Sequence, residues 1–132
     1  MGALGYLLDT HTFLWAIHDE TMLNSSTRDV IVNNPSKVRV SAVSAYEIMN
    51  KHRLGKLTGY AFVAENYLRI FNEFGADELP ITTQHTHFAG KFDWSHRDPF
   101  DRLLAAQAFI ENFTLITNDA VFDSLPWLNV LW

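Results

Sequence analysis

Apolar positions in this chain fall into short runs separated by polar stretches of helical length. Tyr6-Leu7-Leu8 is the first run, and it stops at Asp9. In THTFLWAIHDE beyond it, Phe13, Leu14 and Ile17 share one helical face, with Thr10 as its cap. A second helical segment, Thr21 to Asn34, is stopped by the turn at Asn33 to Pro35. Val38 to Val40 is a short buried strand, followed by a helix in SAVSAYEIMNKHRLGKL that Ser44 caps and Gly55 ends. Tyr60 to Phe74 is helical again, and Leu79 to Ile81 is a third strand. Thr83 caps a brief helix over Gln84 to Ala89. The longest clean helix runs from Pro99 to Ile110. FTLI at Phe113 to Ile116 is a fourth strand, and LNVLW at Leu128 to Trp132 supplies a fifth. Short strands bounded by helices predict a three-layer α/β/α sandwich with a mostly parallel central sheet.

With 132 residues, 48% hydrophobic and 19% charged, the chain is expected to form a single domain over residues 1–132 with a real core. No stretch has the uninterrupted apolar length of a membrane span. MGALGYLLDTH has neither a basic head nor a long apolar run before its first acid, so a soluble, cytoplasmic chain is expected. Cysteine is absent, which removes disulfides, thiolate catalysis and sulfur-ligated metal. Any ion must then be held by carboxylate or imidazole. The net charge of −5 argues mildly against coating a nucleic-acid backbone, although bound divalent ions would largely cancel it.

Four acids occupy comparable local positions. Asp9 and Asp119 each stand just past the end of a predicted strand, while Glu47 and Asp101 lie in the first turns of predicted helices. If the strands are parallel, all four gather along the edge where open α/β sheets keep their ligands. Each also has a structural reading. SAYE, Ser44 to Glu47, has the spacing of a capping box. In DPFD, Asp98 caps, Pro99 takes the first helical position, and Asp101 favours the positive helix end. Asp9 and Asp119 can cap the segments after them. Capping alone does not require one shared edge, whereas a hard divalent ion, Mg²⁺ or Mn²⁺, removes the repulsion of such a cluster.

YLLDTH, SAVSAYEI with KHRLGKL, HRDPFDRLLAAQA, and TLITND with Phe122 together resemble the signature segments of the PIN-domain nucleases. The likeness is to the VapC-like toxins of toxin–antitoxin pairs in particular, and it runs from residue 6 to the final strand. It implies an α/β/α domain that cuts RNA with Mg²⁺ or Mn²⁺, forms a homodimer, and is silenced by a small antitoxin. The family's acids fall on Asp9, Glu47 and Asp101, with a fourth on Asp119. Ser44 and Thr117 match its small polar and hydroxyl positions, and Asp98 belongs to the HRDPFDR form of its segment. The implied reaction is hydrolysis by water without a covalent intermediate, leaving a 5′-phosphate and a 3′-hydroxyl, with one or two ions.

The remaining residues adjust that picture. Thr10 supports the acid it follows. Lys51, Arg53 and Lys56, with His96 and Arg97, are candidates for phosphate or antitoxin contact, or for a solvated face. Arg102 is placed to balance the carboxylates. His85 and His87 read as surface or half-buried residues rather than a ligand pair. Trp15, Tyr46, Phe62, Tyr67, Phe88, Phe92 and Trp94 suit core and subunit contacts better than an RNA-stacking surface. No glycine-rich phosphate loop, zinc-spaced histidine set or serine–histidine–acid order is present. The alternatives are a phosphatase-like or receiver-like enzyme, for which the residues after Asp9 and Ile116 are wrong, and a non-catalytic RNA- or protein-binding module.

Overall fold

A computed structural model describes residues 3–132, so Met1 and Gly2 of the expected domain lie outside the described residues. Five parallel strands form one sheet in the order β3-β2-β1-β4-β5. They are β1 (Gly5–Leu8), β2 (Val38–Ser41), β3 (Asp77–Leu79), β4 (Phe113–Ile116) and β5 (Val130–Leu131). Among the described residues seven α-helices connect them: α1 (Thr10–His18), α2 (Ser25–Asn33), α3 (Ala42–Arg53), α4 (Ala61–Glu65), α5 (Tyr67–Phe74), α6 (Thr83–Lys91) and α7 (Pro99–Ile110).

The pleat sorts neighbouring side chains to opposite faces. Leu7 and Leu115 enter one core with Leu104, Ala105 and Ala108 of α7 and with Phe122, Leu125 and Leu128. Leu8, Val38, Val40 and Ile116 enter the other, with Phe13 and Leu14 of α1 and Val63, Ala64 and Tyr67 of α4 and α5. Helix α3 reaches both, through Val43 and Ile48. The result is the three-layer α/β/α sandwich that the pattern predicts. Gly5 is required by close approach, because a Cβ there would stand 2.7 Å from the Lys37 carbonyl oxygen. Among the described residues no helix is long and apolar enough to cross a membrane.

Several boundaries differ from the sequence expectation, and each has a local cause. Asp9, not Thr10, caps α1 by accepting from the Thr12 N–H at 2.7 Å. The Thr21–Asn34 segment divides into a 3₁₀ turn at Glu20–Met22 and α2, because Asn24 caps the latter by accepting from the Thr27 N–H. Ser41, paired with Leu79 at the end of β2, caps α3 one turn before Ser44. SAYE is therefore not a capping box. The Tyr60–Phe74 segment breaks at Asn66 into α4 and α5. Strand β3 ends at Leu79, before Pro80, which has no N–H to continue a ladder. Thr82 rather than Thr83 caps α6, in a reciprocal pair with His85. His85 is consequently buried, with its Nε2 2.8 Å from Glu111 Oε2, while His87 is exposed.

Candidate functional site

The C-terminal ends of β1, β2 and β4 open onto a cleft of about 480 Å³. Asp9, Glu47, Asp98, Asp101 and Asp119 all line it, together with Lys51, His96 and Thr10. Acids far apart in sequence thus share one wall because parallel strands place their ends, and the helix starts beyond them, at one edge of the sheet.

Asp9 is held at both oxygens. Its Oδ1 accepts from the Thr12 N–H, and its Oδ2 accepts a short hydrogen bond from the Thr117 hydroxyl. Burial pushes the Asp9 carboxyl above its ordinary range, against these hydrogen bonds. Thr117 in turn accepts from the Asp119 N–H at 3.0 Å, so one hydroxyl joins the first acid to the fourth. Asp119 itself is exposed and caps the 3₁₀ turn Ala120–Ser124.

Glu47 lies in the second turn of α3 and is buried. Its Oε1 accepts from the Thr10 hydroxyl at 2.6 Å, and its Oε2 meets the Lys51 ammonium one helical turn on. With the Thr10 proton given to Glu47, Ser44 is the donor in the 3.0 Å Thr10–Ser44 contact. Thr10 and Ser44 therefore orient the glutamate. Burial opposes charge on Lys51, but Glu47 and the fields of Asp98 and Asp101 hold its ammonium above the usual value.

At the start of α7, Asp98 caps the helix by accepting from the N–H groups of Phe100 and Asp101 at 2.8 and 3.2 Å. Its Pro99 occupies the first turn, where the missing N–H costs nothing. The Asp101 side chain caps nothing and faces the cleft, with Oδ2 2.7 Å from His96 Nε2. Burial pushes Asp101 up to about 6, with the Asp98 and Glu47 carboxylates adding to the rise and His96 opposing it. Ligand-capable atoms of His96, Asp98 and Asp101 lie within 4.8 Å of one another, a group able to coordinate a divalent metal. All the donors that converge here are carboxylate oxygen or imidazole nitrogen, which suits a hard or borderline ion.

Two basic residues make contacts that the sequence did not specify. His96, a candidate for phosphate or antitoxin contact, lines the cleft and sits against Asp101; its place five residues before that acid was the available signal. Arg102 does not balance the carboxylates. Its guanidinium donates to the carbonyls of Ala89, Phe92, Trp94 and His96 and stacks on the Phe92 ring. Lys51 is instead paired with one of the carboxylates, Glu47. Arg53, Lys56 and Arg97 are exposed and do not line the cleft. Of the aromatic residues, Trp15 lines the cleft and packs edge-on to Trp132, and Tyr67 is buried. Phe88, Phe92 and Trp94 form a stacked, half-buried row, while Tyr46 and Phe62 are exposed.

The model of the PIN domain matches residues 6–128. The chain belongs to the PIN-domain family. Its PIN fold is shared with VapBC from Salmonella typhimurium in a DNA-bound structure, at a TM-score of 0.70 and 18% identity over 97% of each chain. A toxin–antitoxin complex from Klebsiella pneumoniae gives a TM-score of 0.65 and 15% identity, again over 97% of each chain. VapBC2 from Rickettsia felis, bound to a DNA fragment from its promoter, gives 0.63 and 19% over 96% of each chain. At these identities the likeness is one of fold. No match to the chain was found among the curated proteins. The PIN-domain membership and the His–Asp group together support a nuclease-type function.

Proposed function

We propose that this PIN-domain protein is a Mg²⁺- or Mn²⁺-dependent endoribonuclease and the toxin of a toxin–antitoxin pair. The observation that carries this reading is the convergence of Asp9, Glu47, Asp98, Asp101 and Asp119 on one cleft. Capping does not account for it, because Glu47 and Asp101 cap nothing. That favours a catalytic reading over a binding module whose acids serve only helix ends.

Asp9, Glu47 and Asp101 would hold the ion, with Asp98 and His96 beside it and Asp119 at the exposed rim. Once bound, it supplies Lewis-acid activation of water and neutralises phosphate charge. The protein's own groups fix the acids: Thr117 and the Thr12 N–H orient Asp9, and Thr10 with Ser44 orients Glu47. Asp119, partly solvated and tied to Asp9 through Thr117, serves to orient the attacking water or to hold a second ion. Preset carboxylates need little rearrangement during reaction, which is where electrostatic catalysis gains most.

Incubation of the purified protein with a pooled RNA library, followed by sequencing of the cut ends, tests this directly. Cuts are expected with Mg²⁺ or Mn²⁺, leaving 5′-phosphates, and chelation should abolish them. A folded protein that makes no metal-dependent cut would redirect the reading to a binding module.

The toxin role adds a partner. Side chains of Tyr46 and Met49 on α3, with Phe62 and Leu68 on α4 and α5, are exposed apolar surface suited to protein contact. A small inhibitory protein is expected to co-purify from native cells and to suppress cleavage when added back. In this reading the active form is a cytoplasmic homodimer. Harmless accumulation of the folded, cleavage-competent chain in cells without that inhibitor would contradict the toxin assignment.

A further inference from the structure

Glu47 has two carboxylate oxygens, and both are engaged. Oε1 accepts from the Thr10 hydroxyl and Oε2 meets the Lys51 ammonium, and all three residues line the cleft. The pair is unlike an ordinary i,i+4 ion pair on a solvated helix face, since the Glu47 side chain is only 5% exposed and Lys51 31%. Asp98 and Asp101 also act through space on the same ammonium. Lys51 is thus placed where a divalent ion's charge would be needed.

Resting on the metal-dependent reading above, we propose that Lys51 is a built-in competitor of the divalent ion, holding Glu47 until the ion displaces it and so raising the ion concentration at which the site fills. The chemistry is an exchange of counter-charges. Without an ion, the tethered ammonium compensates the buried glutamate and lessens repulsion among the acids. An incoming ion gains Glu47 only by breaking that pair, and it also meets the positive charge of Lys51 at close range. Lysine suits this task because its ammonium is a compact charge on a flexible stem, able to swing from one position to another without a planar fork to satisfy.

Calorimetric titration with Mn²⁺ of the full-length wild type, Lys51→Met and Lys51→Arg tests the competition without reference to cleavage. Lys51→Met should bind Mn²⁺ about tenfold more tightly, equivalent to ~1.4 kcal/mol, whereas Lys51→Arg keeps the competing charge and should show no such gain. In the unaltered protein, Mg²⁺ titration should shift the ¹⁵Nζ resonance of Lys51 in step with ion binding. Equal Mn²⁺ affinity in wild type and Lys51→Met would overturn the competition while leaving the nuclease reading standing. A Lys51 resonance unmoved at Mg²⁺ saturation would overturn it too, and this measurement decides the matter if Lys51→Met fails to fold. Absence of ion binding in all three proteins would remove both the competition and the metal-dependent reading.

Discussion

Asp101→Asn should abolish metal-dependent RNA cleavage and at the same time make the metal-free protein more stable. Removing a charge that a hard ion requires is expected to lower activity by roughly 10²–10³-fold or more. The stability gain arises from the folded environment of this carboxyl. Asp101 sits at about 6 in the folded protein against an ordinary 3.8, because it is buried and faces Asp98 and Glu47. Below about pH 4 both folded and unfolded chains carry the proton, and the group has no effect on stability. As pH rises from about 4 to 6 the unfolded chain releases the proton first, so stability falls. Above about pH 6 the full penalty applies, on the order of 3 kcal/mol. The Asp101 side chain is only 19% exposed, so little of this is screened by solvent. Asparagine never incurs that penalty, although it weakens the His96 contact, and the net rise in melting temperature should be several degrees near neutral pH.

Calorimetry in chelator across about pH 4 to 7 measures both halves of this expectation. The variant's stability should decline less steeply with pH than the wild type's; some slope remains because Asp9 is also raised by burial. Asp98→Asn is the internal comparison, since its side-chain oxygen can still accept from Phe100 and Asp101. A metal-free Asp101→Asn protein that melts lower than wild type, with cleavage intact, would make DPFD a helix start and nothing more.

How much of this site was legible in the sequence depended on whether local rules had one solution. They did in DPFDRLLAAQAFI: a capping aspartate, a proline in the first turn and a long apolar face fixed both ends of α7. FTLI likewise had no competing pattern, and it became β4 as expected. SAVSAYE had two solutions. Ser44 and Glu47 fit a capping box, but Ser41 caps equally well, and pairing of β2 with β3 leaves Ser41 at the strand end. The choice came from the sheet, and it moved Glu47 from the helix start into the buried wall of the cleft. His85 shows the same limit. Its reciprocal cap with Thr82 uses an imidazole where the familiar pattern has Glu or Gln. For His96 and Arg102 the deciding contacts are folds of the chain between α6 and α7, for which no periodicity exists.

That segment is where the second large effect is expected: Arg102→Met should destabilise the protein by about 3–4 kcal/mol and weaken metal binding, though Arg102 does not line the cleft. The guanidinium gathers four carbonyls from one stretch of chain, those of Ala89 at 2.9 Å, Phe92 at 2.5 Å, Trp94 at 3.0 Å and His96 at 3.0 Å. Its Cζ lies 4.3 Å from the centre of the Phe92 ring. Methionine preserves much of the apolar stem but supplies no donor, so all four carbonyls lose a partner together. Charge-assisted hydrogen bonds are among the stronger ones, and their shared donor makes the losses cooperative rather than independent. His96 is carried by this segment, so its 2.7 Å contact with Asp101 should loosen as the segment does. Arg102→Lys should fall between, since a single ammonium lacks the planar fork needed to reach four carbonyls spread over eight residues. Urea unfolding without metal and Mn²⁺ calorimetry on the folded variants read the two consequences separately. If Arg102→Met unfolds at the wild-type urea concentration, the segment is held by its aromatic stacking instead. If it is destabilised but binds Mn²⁺ unchanged, the segment supports the fold without positioning His96 for ion binding.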